Sequence, residues 1–258
     1  VANSGTTRAR SGQAQRTGRP ERTERALGAG AGAAALVALV LGLAVAPPDA
    51  LQGQPQRLMY VHVPAAWTAY AAFAVVLAAG AAHLLGRPPF WDRLARAAAE
   101  LGAGMTALAL ALGALWGRPV WGVWWTWDPR IVSTAAMLLV YLACLGVRAW
   151  PADPRAGARA AAVTGIAGFG VVPLVHFSVL WWPALHQPPS VLRPAGAVPV
   201  DPPMLAALAA GVVAFLLAGA WVVTRRVRAL DVRPTVPVRV PAAAPAHHGE
   251  RVPAGSAW

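Results

Sequence analysis

Apolar residues gather along this chain into six long blocks, at about 27–46, 60–85, 98–116, 131–149, 160–182 and 204–224. Short polar stretches rich in arginine and proline separate them. Each block comes close to the roughly 20 residues that a helix needs to cross a hydrocarbon core. Periodicity cannot tell strand from helix in runs this apolar, but their length favours helices. Only helices or closed barrels satisfy their own backbone groups in lipid. The pattern therefore predicts an all-α polytopic membrane protein with six transmembrane helices. The membrane domain spans 27–230, between a basic tail at 1–26 and a Pro/Ala-rich tail at 231–258. The composition of both tails predicts disorder.

Composition supports this reading. Of 258 residues, 57% are hydrophobic and only 12% are charged, which argues against one or two ordinary soluble domains. There is no lysine, so the 22 arginines alone report orientation. If exposed segments alternate between sides, 1–26, 86–97, 148–159 and 225–258 share one side and carry eighteen of them. The other side holds only Arg57, Arg118, Arg130 and Arg193. Positive charge collects on the cytoplasmic side, so both termini are expected there, in the bacterial cytoplasmic membrane. The net charge of +12 then reflects this bias and tails facing the anionic surface of the lipid bilayer. It gives no reason to expect a nucleic-acid partner. The alternative for the first block is a signal peptide cleaved after Ala44-Val45-Ala46, but the block is longer than the usual apolar region of about 7–15 residues. Cleavage would leave the other spans oriented as before.

The single cysteine, Cys144, lies inside the fourth block. One cysteine makes no disulfide within the chain, and no Cys-x-x-Cys-His heme-attachment site exists.

Candidate chemistry concentrates on the arginine-poor side. Trp116, Trp121, Trp124, Trp125 and Trp127 fall within twelve residues and run into Asp128-Pro129-Arg130. Tryptophan anchors loops at membrane interfaces, which accounts for Trp67, Trp91, Trp150 and Trp221 but poorly for this cluster. A group of indole faces suits a large flat ligand, at roughly 0.5–1.5 kcal/mol per aromatic contact beyond area burial. His62 opens the second span in Tyr60-Val61-His62-Val63-Pro64-Ala65-Ala66-Trp67, and His186 follows the fifth in Trp181-Trp182-Pro183-Ala184-Leu185-His186-Gln187. Both are placed on the tryptophan side, where two neutral imidazoles could fill the axial positions of a porphyrin iron. The alternative is a pair of interfacial residues bonded to loop carbonyls.

His83 lies about 31 Å from His62 along a helix, at the opposite face, and reads as interfacial. His247 and His248 read as solvated tail. His176, just after Pro173, is either a ligand or a group satisfying backbone freed by the proline. Asp128 before Pro129 matches a helix N-cap, and it can also orient a neighbouring imidazole or arginine. Arg57 and Arg130 are candidates for binding carboxylates in bidentate fashion, whereas Arg118 and Arg193 read as surface anchors.

Read from Trp121 to Arg130, the pattern Trp-Gly-x-Trp-Trp-x-Trp-Asp-x-Arg resembles the tryptophan-rich signature of heme-handling proteins in cytochrome c biogenesis. His-Val-Pro-Ala-Ala at His62 and Trp-Trp-x-x-Leu-His-Gln ending at Gln187 are similar to one branch, heme exporter protein C. The resemblance covers about residues 27–230. It implies that His62 and His186 are axial ligands of heme b, which is carried as a transferred ligand. It also implies that Trp121, Trp124, Trp125, Trp127 and Asp128 form the heme platform in a loop at 116–130. Implied partners are a membrane-anchored heme chaperone, a small one-span accessory subunit and an ATP-binding-cassette transporter pair. The chain has no Walker A phosphate loop of its own. The function implied is presentation of heme at the outer face and its transfer to the chaperone, rather than enzymatic turnover. The alternatives are a cytochrome c–heme lyase of the same superfamily and a quinone-linked or structural subunit.

Overall fold

The computed structural model describes residues 5–186 and 200–231, with side chains from residue 21 onward. Seven α-helices follow one another: α1 (Gly5–Val40), α2 (Met59–Leu84), α3 (Phe90–Trp121), α4 (Pro129–Val147), α5 (Pro154–Gly168), α6 (Val171–Trp181) and α7 (Pro202–Asp231). Together α5 and α6 make one span, so six helical units are long and apolar enough to cross a membrane. The described residues contain no strand, only an isolated bridge between Asp49 and Gly53. This is the six-span all-helical architecture that the apolar blocks predict.

The fifth span breaks where its proline demands it. Pro173 has no N–H to offer the carbonyl of Phe169, four residues earlier. That carbonyl instead accepts from Val172 N at 3.0 Å, and the helix divides around Phe169-Gly170. At the other boundaries the helices outrun the apolar blocks. The segment expected to be a disordered tail through residue 26 is helical at 21–26, because Glu24 ties it down: its carboxylate pairs with Arg225 (3.1 Å) and Arg228 (2.5 Å) of α7. The tryptophan loop is also shorter than the expected 116–130. Helix α3 continues through Trp121 and stops at Gly122, whose φ of 79° lies in the left-handed region that glycine enters without strain. His247, His248, Arg193 and Gln187 lie outside the described residues.

Helix α2 sits at the centre, packed on α3, α5 and α7. Its buried face is built largely from small residues, Ala65, Ala69, Ala72 and Ala79, around Phe73 and Val76. In lipid, apolar burial does not itself draw helices together, so close backbone approach has to supply the attraction. Glycines create that approach. A Cβ on Gly211 of α7 would stand 2.6 Å from the Tyr60 carbonyl, and one on Gly165 of α5 would stand 2.6 Å from Val76 Cγ1. Phe73 also stacks on Tyr141 of α4 with an interplanar angle of 9°. The Gly211 approach holds the first turn of α2, and with it His62, close against α7.

Candidate functional site

The site grows from one carboxylate. Asp128 has extended backbone (φ −62°, ψ 136°) and caps α4 by accepting from Arg130 N at 2.9 Å, with Pro129 in the first turn. The same side chain reaches the segment after α6. Its Oδ2 accepts from Leu185 N at 2.6 Å and from His186 N at 3.3 Å, and its Oδ1 lies 2.9 Å from His186 Nδ1. Asp128 is only 5% exposed. Helix cap, loop anchor and imidazole partner are therefore one residue.

That contact sets the chemistry of His186. An Nδ1 facing a carboxylate carries the proton, which leaves Nε2 with its lone pair. Burial holds the His186 imidazole below its ordinary pKa; Asp128 opposes the shift and Arg130 adds to it. For Asp128, burial alone would raise the pKa. The electrostatic interaction with the His186 ring and the three backbone N–H donors outweigh burial and hold it below the usual carboxylate range. A neutral imidazole beside an ionised carboxylate is the form that binds a metal.

His62 comes from the first turns of α2 and packs edge-on against Trp116 of α3, with ring centroids 5.7 Å apart. Gly113 makes room for it, since a Cβ there would stand 3.1 Å from His62 Cε1. Its Nδ1 is buried without a hydrogen-bond partner. An orphaned buried ring nitrogen is uncommon enough to need an explanation. His62 and His186 line the same two adjoining cavities.

Of the tryptophans, Trp121 packs on His186 with centroids 4.8 Å apart, and Trp116 donates from Nε1 to Gln52 Oε1 at 2.9 Å. Trp124 and Trp125 line the first cavity from the loop side, and both are exposed. Trp127 lines neither cavity; it is 84% exposed and meets only the edge of Trp125, at 5.9 Å. The enclosed space is about 80 Å³ in the first cavity and about 90 Å³ in the second. That holds a few waters at about 30 Å³ each.

Arg130 lines the first cavity beside Tyr70. Its Nη2 donates to the His176 carbonyl at 3.0 Å, and its Nε is buried without a partner. Among the described residues no carboxylate lies within ion-pair distance of it, although its backbone N–H serves Asp128. His176 enters the site through that carbonyl. Its ring packs against Tyr70 and Phe177 and lines neither cavity. Arg57 does not join the histidines. It donates to Gln54 Oε1 at 2.6 Å and to the Gly42 carbonyl, and it lines a separate apolar cavity. Arg118 bonds the Gly122 carbonyl at the end of α3. His83 ends α2 at the opposite side of the bundle.

Sequence reasoning missed Gln52, Tyr70 and Gly113. Gln52 and Tyr70 belong to no motif. Gly113 carried a faint signal, because Gly113 and Gly117 lie one turn apart, each clearing space for a ring: His62 for the first and Trp121 for the second.

Residues 15–237 match the family model described as heme exporter protein C. A heme exporter protein C of Bradyrhizobium diazoefficiens is 42% identical over 188 residues, covering 72% of this chain and 71% of that protein. Its counterpart in Escherichia coli K12 is 34% identical over 196 residues, or 75% and 78% of the two chains. The one in Haemophilus influenzae is 36% identical over 172 residues, or 66% and 70%. The family-model match takes in both histidines and the whole tryptophan run, and with relatives of this similarity it places the chain in the heme exporter protein C family.

Proposed function

We propose that this protein binds heme b as cargo at the tryptophan end of the bundle, with His62 and His186 as axial ligands, and hands it to a membrane-anchored heme chaperone. The observation that carries this reading is the Asp128–His186 contact opposite the orphaned Nδ1 of His62. One imidazole is held with Nε2 free, and the other has a buried nitrogen that nothing in the protein satisfies. Heme brings an iron that takes two such nitrogens. Trp116 and Trp121 hold the two imidazoles from the side, while Trp124 and Trp125 offer a surface for the macrocycle. Arg130, a half-buried guanidinium without a carboxylate, is suited to a propionate. Asp128 keeps His186 in the tautomer that presents Nε2.

The arginine bias supports an orientation with this end on the outer face of the cytoplasmic membrane. A ligand held there beneath a short loop can leave sideways into a partner. The partners in this reading are the chaperone, an ATP-binding-cassette pair that drives release, and a small one-span accessory subunit.

Purified protein expressed with heme supply should carry heme with a bis-histidine spectrum. His62→Ala and His186→Ala should each abolish that spectrum and lower retained heme by more than the roughly 100-fold that outer-shell changes reach. Unchanged heme content and spectrum in both variants would remove the ligand assignment. Maturation of an apocytochrome by this protein without any chaperone would show it to be a lyase instead.

A further inference from the structure

A second cavity lies away from the histidines. It opens between α1 on one side and α2, α3 and α7 on the other, and encloses about 420 Å³. Ala35 of α1 and Leu43 of the π-helical turn that follows it face Leu101 of α3 and Ala218 of α7 across it, with Tyr60 and Arg57 at the end nearer the tryptophan side. Along α1 and that turn it runs from Ala31 to Leu43, about 18 Å at 1.5 Å per residue.

We propose that this cavity is a lipid site, taking one acyl chain of an anionic phospholipid whose phosphate sits at Arg57. Size excludes the obvious competitor. A spanning helix about 10 Å across and about 30 Å long occupies on the order of 2000 Å³, several times the volume available. A slim hydrocarbon chain matches the shape and the apolar lining.

The head end carries the charge. A π-helical turn at Leu41–Val45 moves the Ala46 N–H onto the Leu41 carbonyl, at 2.7 Å. The Gly42 carbonyl, its ordinary helical acceptor, is thereby released, and Arg57 Nη1 donates to it. With Nε on Gln54, the guanidinium is held at the cavity mouth by two of its five N–H groups. Among the described residues no carboxylate pairs with it, so its charge is left for an external anion. Tyr60 gives an independent sign. It is 5% exposed and lines the cavity, and its buried Oη has Gln56 beside it but no hydrogen bond of good geometry. A phosphate or glycerol ester oxygen would supply that bond.

The test uses the full chain in phosphatidylcholine nanodiscs doped with phosphatidylglycerol bearing a photoactivatable acyl tail, with crosslinked peptides mapped by mass spectrometry. Label should concentrate several-fold on α1 and its π-helical turn around Ala35–Leu43 and on α7 around Gly211–Val222, relative to the lipid-facing surface of α4 at Leu139. Ala218→Phe, which fills the cavity, should remove the excess. Ala35→Leu fills it more gently and should lower the excess if the larger side chain prevents folding. Arg57→Gln should reduce the phosphatidylglycerol label to the level obtained with the matching phosphatidylcholine probe. Equal labelling of α4, or excess label that survives both the filling substitutions and Arg57→Gln, would overturn the proposal. Heme content, recorded on the same samples, reports the histidine site separately, so failure of one reading leaves the other standing.

Discussion

The two ends of this bundle handle polar groups in opposite ways. At the arginine-rich end, charges meet across helices: Arg148 grips Asp92 with two bonds of 3.0 and 2.5 Å, Arg226 reaches Glu100 at 2.5 Å, and Arg93 meets Asp231 at 3.1 Å. Glu24 joins α1 to α7 in the same manner. At the tryptophan end no guanidinium meets a carboxylate among the described residues. The buried polar atoms of Gln56, Tyr60, His62 and Arg130 make no hydrogen bond of good geometry there. Leaving such a group unmade costs about 1–3 kcal/mol; Arg93 Nε is in the same state at the arginine-rich end, but its guanidinium is ion-paired with Asp231, whereas Arg130 has no carboxylate. One end is closed by its own charges, and the other is completed by what it binds.

The comparison can be broken most sharply at Asp128, the one carboxylate of the tryptophan end that grips an ionisable side chain. Asparagine caps helices about as well as aspartate, but it neither polarises an imidazole through charge nor fixes its tautomer. Asp128→Asn should therefore lower heme retention roughly 10–100-fold, with only a modest fall in unfolding temperature, because its single acceptor oxygen can still cap α4 but cannot also serve the Leu185 and His186 N–H groups. Asp128→Ala should lose the heme and, in addition, about 1 kcal/mol of stability with the cap. Absorbance titration with heme and unfolding in detergent separate the two effects. Equal heme affinity in wild type and Asp128→Asn would reduce the residue to a cap.

The opposite end should respond the other way round. Arg148→Gln leaves Asp92 without its bidentate partner, both side chains being mostly buried at 18% and 21% exposure. A loss of about 1.5–3 kcal/mol is expected for hydrogen bonds to a charged group, read as a lower unfolding temperature with heme affinity unchanged. Loss of heme affinity at unaltered stability would mean that the two ends are coupled and that the division is wrong.

The sequence made the fold legible where one physical rule dominated. Apolar block length foretold the six spans, and Pro173 pointed to the divided fifth. Helix ends were less legible, because they depend on partners distant in the chain: Glu24 extends α1 only because Arg225 and Arg228 stand two hundred residues away in sequence. Within the site, His62, His186, Trp116, Trp121, Trp124, Trp125, Asp128 and Arg130 converge around two adjoining cavities, much as topology placed them. The double role of Asp128 was also visible, since Asp-Pro announces a cap and a nearby histidine invites a carboxylate. Arg57 shows the limit. Five residues from His62 in sequence, it sits across a helix turn from it and faces another cavity, which no spacing rule on a loop could foresee.

The smallest effects should fall within the tryptophan run, where the members are unequal. Trp121 packs on His186 and lines both cavities, whereas Trp127 is largely solvent-exposed and lines neither. Removing the Trp121 ring deletes an aromatic contact worth about 0.5–1.5 kcal/mol, so Trp121→Ala should weaken heme retention by a factor of roughly two to twelve and perturb the spectrum through His186. Trp127→Ala should leave the heme content and spectrum of the isolated protein unchanged. If an exposed indole of this kind acts at all, it acts on a partner, and its loss should appear only as slower heme transfer once the chaperone is present. A heme defect in isolated Trp127→Ala as large as that of Trp121→Ala would instead show that the loop folds back over the bound macrocycle, so that the tryptophan end closes on its ligand rather than leaving an indole outward.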